Sequence, residues 1–204
     1  MSKIYLVRHC QSKWNFTSKI QGQIDIDLSK NGYKQAIKVG QRLKNEKIDL
    51  IYTSDLIRAF KTALIISFKT ETHKIKKTHL LREIDFGPWQ GLTINEVKKI
   101  YSDDYSLWLT SPHEFNFNGI ETLNNLKDRI IMFIDSELQK NLNKNILIVS
   151  HSSVIKIIIL TILGFNLSYY KNFSLDNGGI TIIENKEYNS VIKLLNDTSH
   201  LREV

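Results

Sequence analysis

Short apolar runs alternate with helical patterns along this chain, and that alternation limits its fold more than any other feature. The apolar spacing of helices occurs at about 32–44, at 55–67, from Glu121 to Lys140 and from Val154 onward. Each of these stretches adjoins a short apolar run. Ser29 or Asn31 is a candidate cap of the first helix. The apolar runs predict six strands, at 3–7, 47–54, 75–81, 145–150, 179–184 and 190–195. Strands that alternate with helices predict an α/β fold, here a three-layer α/β/α sandwich with a mainly parallel central sheet.

One region interrupts this alternation and predicts a small cap segment at about 92–118 within a single domain, 1–204. Thr93 and Glu96 have the spacing of a helix capping box. The stretch from Ser102 to Gly119 is aromatic and is expected to be irregular. A chain of 204 residues is the usual size of one domain with such an insertion.

Composition restricts the location and the partners of the chain. A net charge of +7 favours anionic partners without saying of which kind, and the scattered lysines indicate a solvated surface rather than a nucleic-acid site. The single cysteine and the short apolar start, Ile4 to Val7, predict a cytoplasmic protein without a signal peptide. The most apolar stretch, 154–165, is far shorter than a membrane span and contains Lys156, so no membrane partner is expected. A homodimer is left open.

Polar side chains follow four of the predicted strands. Arg8 and His9 follow the first strand, Arg58 lies just beyond the second, Glu83 follows the third, and His151 ends the "NILIVSH" stretch. Because ligands bind beyond the carboxyl ends of parallel strands, we expect these five residues to share one rim of the sheet. Two arginines, two histidines and a carboxylic acid together predict a pocket for a phosphoryl group, with a nucleophile and a proton donor.

Two other chemistries compete for this rim. Cys10 could act as a nucleophile, but no C-x5-R loop follows it, so a small buried side chain is the preferred interpretation. A metal hydrolase would need clustered ligands, and no H-x-x-x-H pattern or dense Asp/His cluster is present. We therefore expect neither a metal nor a cofactor. The histidines available to a metal are His9, His73, His79, His113, His151 and His200.

Five motifs in order resemble the histidine phosphatase superfamily, which includes phosphoglycerate mutases and related phosphatases. "LVRHCQSKWN" resembles the family's "LVRHGETxWN", and "SDLIRAFKTA" resembles its second arginine motif. "LREIDFGPWQG" is similar to "LxExxFGxWEG", "NGIET" to a "GES" segment, and "SHSSVIK" to "SHGGVIR". The resemblance covers nearly the whole chain.

The resemblance implies a role for each of five residues. His9 would be the phosphoryl acceptor, Arg8 and Arg58 would clamp the phosphate, His151 would be a further phosphate ligand, and Glu83 would be the general acid. The chemistry fits, because a neutral imidazole carries a lone pair at neutral pH and arginines can neutralise the charge of the phosphate without a metal.

Further positions match the family less directly. Asn15 and Gln21 resemble phosphate contacts, although each could equally be a cap or turn residue, and Ser152 beside the second histidine is also predicted to contact substrate. Cys10 and Ser152 replace family glycines, and Gln11 replaces a glutamate. If positive φ is needed at those glycines, strain of about 1–3 kcal/mol would follow.

Two patterns point to different branches of the superfamily. Only 27 residues, 92 to 118, separate Gly91 from the glycine of "NGIET", which favours a phosphatase of the α-ribazole or broad-specificity kind. "DIDLS" at 25–29 resembles the mutases instead. The prediction is a metal-independent phosphomonoesterase acting through a phosphohistidine. The alternatives are a phosphoglycerate mutase and a non-catalytic phospho-ligand or protein-binding module on a degenerate site.

Overall fold

The computed structural model describes residues 2–202, which form a six-stranded sheet between two helical layers. The strand order is β3-β2-β4-β1-β5-β6. The first four strands of that order pair in parallel, whereas β5 is antiparallel to β1 and β6 is antiparallel to β5. The predicted mainly parallel three-layer sandwich is therefore confirmed. The strands are β1 (Ser2–Arg8), β2 (Leu50–Ser54), β3 (Ile75–Thr78), β4 (Ile146–Ser150), β5 (Ile180–Asn185) and β6 (Ser190–Asp197).

Seven α-helices accompany the sheet within residues 2–202. They are α1 (Lys13–Phe16), α2 (Lys30–Leu43), α3 (Ile57–Thr70), α4 (Ile94–Ile100), α5 (Ser102–Thr110), α6 (Leu123–Phe133) and α7 (Ser152–Ile162). Ser29, one of the two predicted caps, is the N-cap of α2, and its side chain accepts a hydrogen bond from the backbone N–H of Gly32. None of the helices in residues 2–202 has the length and hydropathy to cross a bilayer.

Both faces of the sheet are buried, which explains why its strands read as unbroken apolar runs. Leu6 and Ile148 point into one core beneath α6 and α7, whereas Val7 and Val149 point into the other core beneath α2 and α3. Successive side chains of a strand alternate between faces, so each parallel strand supplies both cores. The two layers hold the carboxyl ends of β1, β2 and β4 rigidly at one edge.

Two predicted elements differ from the structure. The third strand was predicted to run from Ile75 to Leu81 but stops at Thr78, because the Thr78 hydroxyl caps a 3₁₀ turn over His79–Leu81. The predicted helix from Glu121 to Lys140 is regular only as α6, and a π turn at Ile134–Leu138 and a 3₁₀ turn follow.

The cap segment is more regular than predicted. The stretch from Ser102 to Gly119 contains the helix α5, and the predicted capping box of Thr93 and Glu96 starts α4. Aromatic packing orders this region: Trp89 is fully buried, and Trp108 and Phe115 meet edge to face at 5.5 Å. The aromatic residues thus form a small core of their own, next to the carboxyl ends of the strands.

Candidate active site

A small pocket lies at the carboxyl ends of the parallel strands. Arg8 pairs with Ser150 across β1 and β4, and the backbone N–H of His9 donates to the Ser150 carbonyl at 2.8 Å. The pocket has a volume of about 160 Å³. Four of the five residues predicted for this rim line it, and the fifth, His151, packs against His9 with 5.0 Å between ring centroids. The lining residues are Arg8, His9, Asn15, Lys19, Ile20, Gln21, Gly22, Arg58, Glu83 and Phe86.

His9 is held as a neutral imidazole with one nitrogen free. Its side chain is 2% exposed, and burial, Arg58 and Arg8 together hold its pKa well below the usual value. Its Nδ1 lies 2.8 Å from the Cys10 carbonyl oxygen, which can only accept, so Nδ1 must carry the proton. The lone pair is therefore on Nε2, the atom that a histidine nucleophile needs.

Two guanidinium groups, of the fully buried Arg58 and the partly buried Arg8, bring positive charge to the pocket. Arg8 donates to the Leu175 carbonyl at 2.6 Å, and Arg58 donates to the Ile24 and Gly22 carbonyls at 2.8 and 2.7 Å. Burial lowers the pKa of Arg58 to about 10, which still leaves it charged at neutral pH. The Nε atoms of both arginines are buried without a partner in residues 2–202. An anion in the pocket would satisfy such donors.

The backbone at Gly22 makes this arrangement of Arg58 possible. Gly22 has φ of +50°, and a Cβ there would lie 2.0 Å from the Gln90 Oε1 atom. Only glycine fits both the left-handed conformation and that close approach. The turn places the Gly22 carbonyl on the Arg58 guanidinium, which orients the guanidinium in the pocket.

Glu83 is fixed at both its backbone and its side chain. Arg129 and Gln23 donate to its backbone carbonyl at 3.1 and 3.2 Å. Its Oε1 accepts hydrogen bonds from the backbone N–H groups of Ile84 and Ser153, at 3.0 and 3.2 Å. Oε2 accepts no hydrogen bond from residues 2–202. Because Oε1 already accepts two, a proton on this carboxyl belongs on Oε2. That geometry suits an acid that delivers a proton into the pocket.

A serine at the end of β2 holds the ring of His151. The Ser54 hydroxyl lies 2.9 Å from His151 Nε2 and accepts a hydrogen bond from the Leu56 backbone N–H at 3.3 Å. This contact orients the imidazole beside His9. The other ring nitrogen, Nδ1, is buried and has no partner in residues 2–202. Burial and the neighbouring arginines hold the pKa of His151 well below its usual value.

Asn15 and Gln21 both line the pocket, and both present an amide NH₂ group to it. The Asn15 side-chain oxygen accepts from the Ser12 backbone N–H at 3.0 Å, and the Gln21 side-chain oxygen accepts from the Ser12 hydroxyl at 2.6 Å. With the oxygens engaged, the NH₂ groups remain to donate to an anion. Asn15 also completes the capping box of α1, so it is a cap residue as well.

The three departures from the family motifs leave the backbone unstrained. Within residues 2–202, positive φ outside glycine occurs at Ser18, Glu71 and Asn196, so Cys10 and Ser152 have ordinary conformations. The side chain of Cys10 is fully buried and its pKa is raised to about 12, which keeps it a thiol rather than a nucleophile.

The other two departures lie beside the pocket rather than in it. The Gln11 amide oxygen accepts from the Ser29 hydroxyl at 2.7 Å, at the start of α2. Ser152 is the first residue of α7, beside His151, and is not among the residues that line the pocket.

The sequence patterns missed several residues of this site, three of which carry charge or an aromatic ring. Lys19 and Phe86 line the pocket, and Arg129 links the Glu83 carbonyl to an ion pair with Glu121 at 2.7 Å. Phe86 follows Glu83 closely inside a recognised motif, so its position was a usable signal. Lys19 lies in a loop without periodicity and gave none.

Metal ligands are not assembled in the described part of the chain. No three histidine, cysteine, aspartate or glutamate side chains in residues 2–202 come together in a way that could hold an ion. The positive charge found in the pocket is that of side chains, Arg8, Arg58 and Lys19.

An α/β sheet that presents a neutral histidine, paired arginines and a carboxylic acid at its carboxyl edge defines a phosphoryl-transfer enzyme. A family profile, the histidine phosphatase superfamily (branch 1), matches residues 4–198, and the chain belongs to that superfamily. It is a phosphatase of the histidine type acting on a small phosphorylated metabolite.

Two solved structures and one curated protein illustrate the similarity. Phosphoserine phosphatase 1 of Hydrogenobacter thermophilus is 36% identical over all of this chain and 96% of its own length. Bacillus stearothermophilus YhfR superposes with a TM-score of 0.91 at 27% identity, over 99% of this chain and 100% of that one. The H9A mutant of phosphoserine phosphatase from Entamoeba histolytica, in complex with phosphoserine, has a TM-score of 0.85 and 32% identity, over 99% and 100%.

Proposed function

We propose that this phosphatase hydrolyses O-phosphoserine or a closely similar phosphomonoester through a phosphohistidine on His9, without a metal ion. The observation that carries the proposal is the buried, neutral His9 with its Nε2 lone pair free between two guanidinium groups. The names of the full-length relatives support phosphoserine as the substrate class. The pocket volume of about 160 Å³ suits a small molecule of that size.

The reaction divides into two displacements at phosphorus. In the first, His9 Nε2 forms a bond to phosphorus while the bond to the serine oxygen breaks, and Glu83 gives that oxygen its proton. In the second, water attacks phosphorus, Glu83 takes up a proton from the water, and the bond to His9 breaks. Arg8 and Arg58 stabilise the charge on the phosphoryl oxygens in both steps. Phosphate and serine leave, and both catalytic groups regain their starting protonation.

Charge in the cap supports hydrolysis over mutase activity. A mutase must hold a bisphosphorylated intermediate while it reorients, which needs cationic contacts to a second phosphate. The segment 92–118 contains Lys98 and Lys99 against four acidic residues, a formal charge of −2. We therefore expect water to intercept the phosphohistidine. The "DIDLS" stretch, which resembles the mutases, is the sequence feature that points the other way.

Trapping the intermediate tests the mechanism. Brief incubation with ³²P-labelled O-phosphoserine and an alkaline quench should leave label on His9, because the N–P bond survives base and breaks in acid. His9→Ala should abolish the label. Label on Cys10, or full turnover by His9→Ala, would contradict the mechanism, and no labelling or turnover with any of a panel of phosphometabolites would favour the non-catalytic module.

The balance of products separates phosphatase from mutase. With 2-phosphoglycerate as substrate and 2,3-bisphosphoglycerate as primer, release of inorganic phosphate should exceed formation of 3-phosphoglycerate. If isomerisation instead outran phosphate release, the chain would be a mutase. Direct analysis of products by ³¹P NMR measures both at once.

The remaining expectations concern the setting of the enzyme. We propose one domain with a cap segment at about 92–118 and a cytoplasmic location, which the buried thiol of Cys10, the only cysteine, favours. Substrate is proposed to be contacted by Asn15, Gln21 and Ser152. A homodimer is open, and sedimentation velocity of the purified protein decides it.

A further inference from the structure

Lys19 is the third cationic side chain that lines the pocket, and it differs from the other two. The guanidinium groups of Arg8 and Arg58 donate to loop carbonyls and have buried Nε atoms, which places them at the base of the pocket beside His9. Lys19 is only partly buried, and its ammonium lies 5.6 Å from the centre of the Trp14 ring. The lysine is therefore at the rim, with an aromatic face to limit its movement.

The backbone around Lys19 is built to present this side chain. Ser18 has φ of 54°, a left-handed conformation that costs free energy in a residue other than glycine. The next residues are tied to the start of the cap: the Ile94 N–H donates to the Ser18 carbonyl at 3.2 Å, and the Ile20 N–H donates to the Leu92 carbonyl at 2.9 Å. Lys19 is thus held between the pocket and the cap.

The charge of Lys19 is available to a ligand. No carboxylate in residues 2–202 lies within salt-bridge distance of its ammonium. Hydrogen bonds from Thr93 and, to a smaller extent, the charge of Lys19 lower the pKa of Glu96. Its carboxylate is already engaged by the backbone N–H and hydroxyl of Thr93. A single unpaired cation at the mouth of a pocket whose base binds phosphate suits a substrate with a second, smaller anion.

We infer that Lys19 binds the carboxylate of the substrate and so selects phosphomonoesters that carry a carboxylate beside the phosphoryl group. The inference rests on the proposed function, since it assumes that the phosphoryl group sits at His9. One ammonium can pair with one carboxylate, whereas a bisphosphorylated ligand would need more cations than the rim provides. Selection by Lys19 is therefore consistent with a phosphatase rather than a mutase.

A pair of substrates that differ only in the carboxylate tests this inference. O-phosphoserine and phosphoethanolamine share the amine and the phosphate ester, and only the first has a carboxylate. The wild-type enzyme should prefer O-phosphoserine in kcat/KM. Lys19→Met should lower kcat/KM for O-phosphoserine about 10-fold more than for phosphoethanolamine, which corresponds to the loss of one charge-assisted contact. Most of the loss should appear in KM, because the contact is equally present before and during reaction.

Two variants control for charge and for folding. Lys19→Arg keeps a cation at the rim and should retain most of the preference. Lys13→Met removes an exposed lysine at the start of α1, outside the pocket, and should leave kcat/KM for both substrates unaffected. Inhibition by orthovanadate, which has no carboxylate, should be nearly equal in wild type and Lys19→Met, and so reports an intact base of the pocket.

The outcomes separate this inference from the proposed function. Equal losses on the two substrates, or no loss on either, would overturn the role of Lys19 while phosphohistidine labelling of His9 still supported the proposed function. A wild-type enzyme without preference between the two substrates would also overturn it. Failure of wild type to label His9 or to hydrolyse either substrate would overturn the proposed function and the role of Lys19 together.

Discussion

Burial of two neutral histidines should make this protein sensitive to mild acid. His9 and His151 have their pKa values held well below the ordinary value by burial and by nearby arginines. In the unfolded chain each imidazole regains a pKa of about 6.5. Between pH 7.5 and pH 5.5 the unfolded state therefore binds two protons that the folded state does not bind. Because protons then favour the unfolded state, stability falls as the pH falls.

The size of the effect follows from the number of protons rather than from the exact pKa values. Protonation of one unfolded histidine at pH 5.5 contributes about 1.4 kcal/mol, so the pair should reduce the free energy of unfolding by about 3 kcal/mol relative to pH 7.5. His200, whose pKa is also lowered by burial, acts in the same direction. Most carboxyl groups titrate below this window, so histidines dominate it.

Urea unfolding followed by tryptophan fluorescence at pH 7.5, 6.5 and 5.5 measures this loss. His9→Gln removes one of these titrating histidines and should reduce the pH dependence by about a third to a half. His73→Gln, at an exposed position, is the matched histidine control. A free energy of unfolding that is constant from pH 7.5 to 5.5 would refute the assignment of buried, neutral imidazoles at the site.

Four further predictions test separate features of the site. Glu83→Gln should slow hydrolysis of alkyl phosphates about 100-fold. It should slow hydrolysis of p-nitrophenyl phosphate far less, because that leaving group needs no proton. Equal losses would make Glu83 a binding or structural residue. Ser54→Ala should remove the hydrogen-bond partner of His151 Nε2, so the ¹⁵N NMR signals of the His151 ring should shift and kcat should fall. An unchanged spectrum would contradict this contact. Gly32→Ala should destabilise the protein, because the new Cβ would lie 2.0 Å from the Gln11 carbonyl oxygen. That overlap costs about 1–3 kcal/mol, which outweighs the gain of about 1 kcal/mol in helix propensity. A raised urea midpoint would refute this. Activity should survive EDTA and be inhibited by vanadate, and loss on chelation that a divalent ion restores would revive metal chemistry.

Features encoded in local sequence could be predicted well. Alternating strand and helix patterns determine the α/β class, because each pattern reports which faces of an element must be buried. The order of strands and polar residues also placed Arg8, His9 and His151 at one edge, since carboxyl ends of parallel strands share an edge. Errors came where local hydrogen bonds compete with periodicity, as at Thr78, whose hydroxyl caps a turn and ends β3 early.

The sequence by itself determined the layered fold, the family and the reactive groups, because residue type, spacing and order carry that information. Only the tertiary structure decided which nitrogen of His9 is free, since that depends on a carbonyl oxygen 2.8 Å away. It alone brought Arg129 to the Glu83 carbonyl, 46 residues away along the chain. It also placed Lys19 at the rim, through a left-handed conformation at Ser18 that no residue pattern predicts. Such contacts arise from packing between distant segments, so no local pattern contains them.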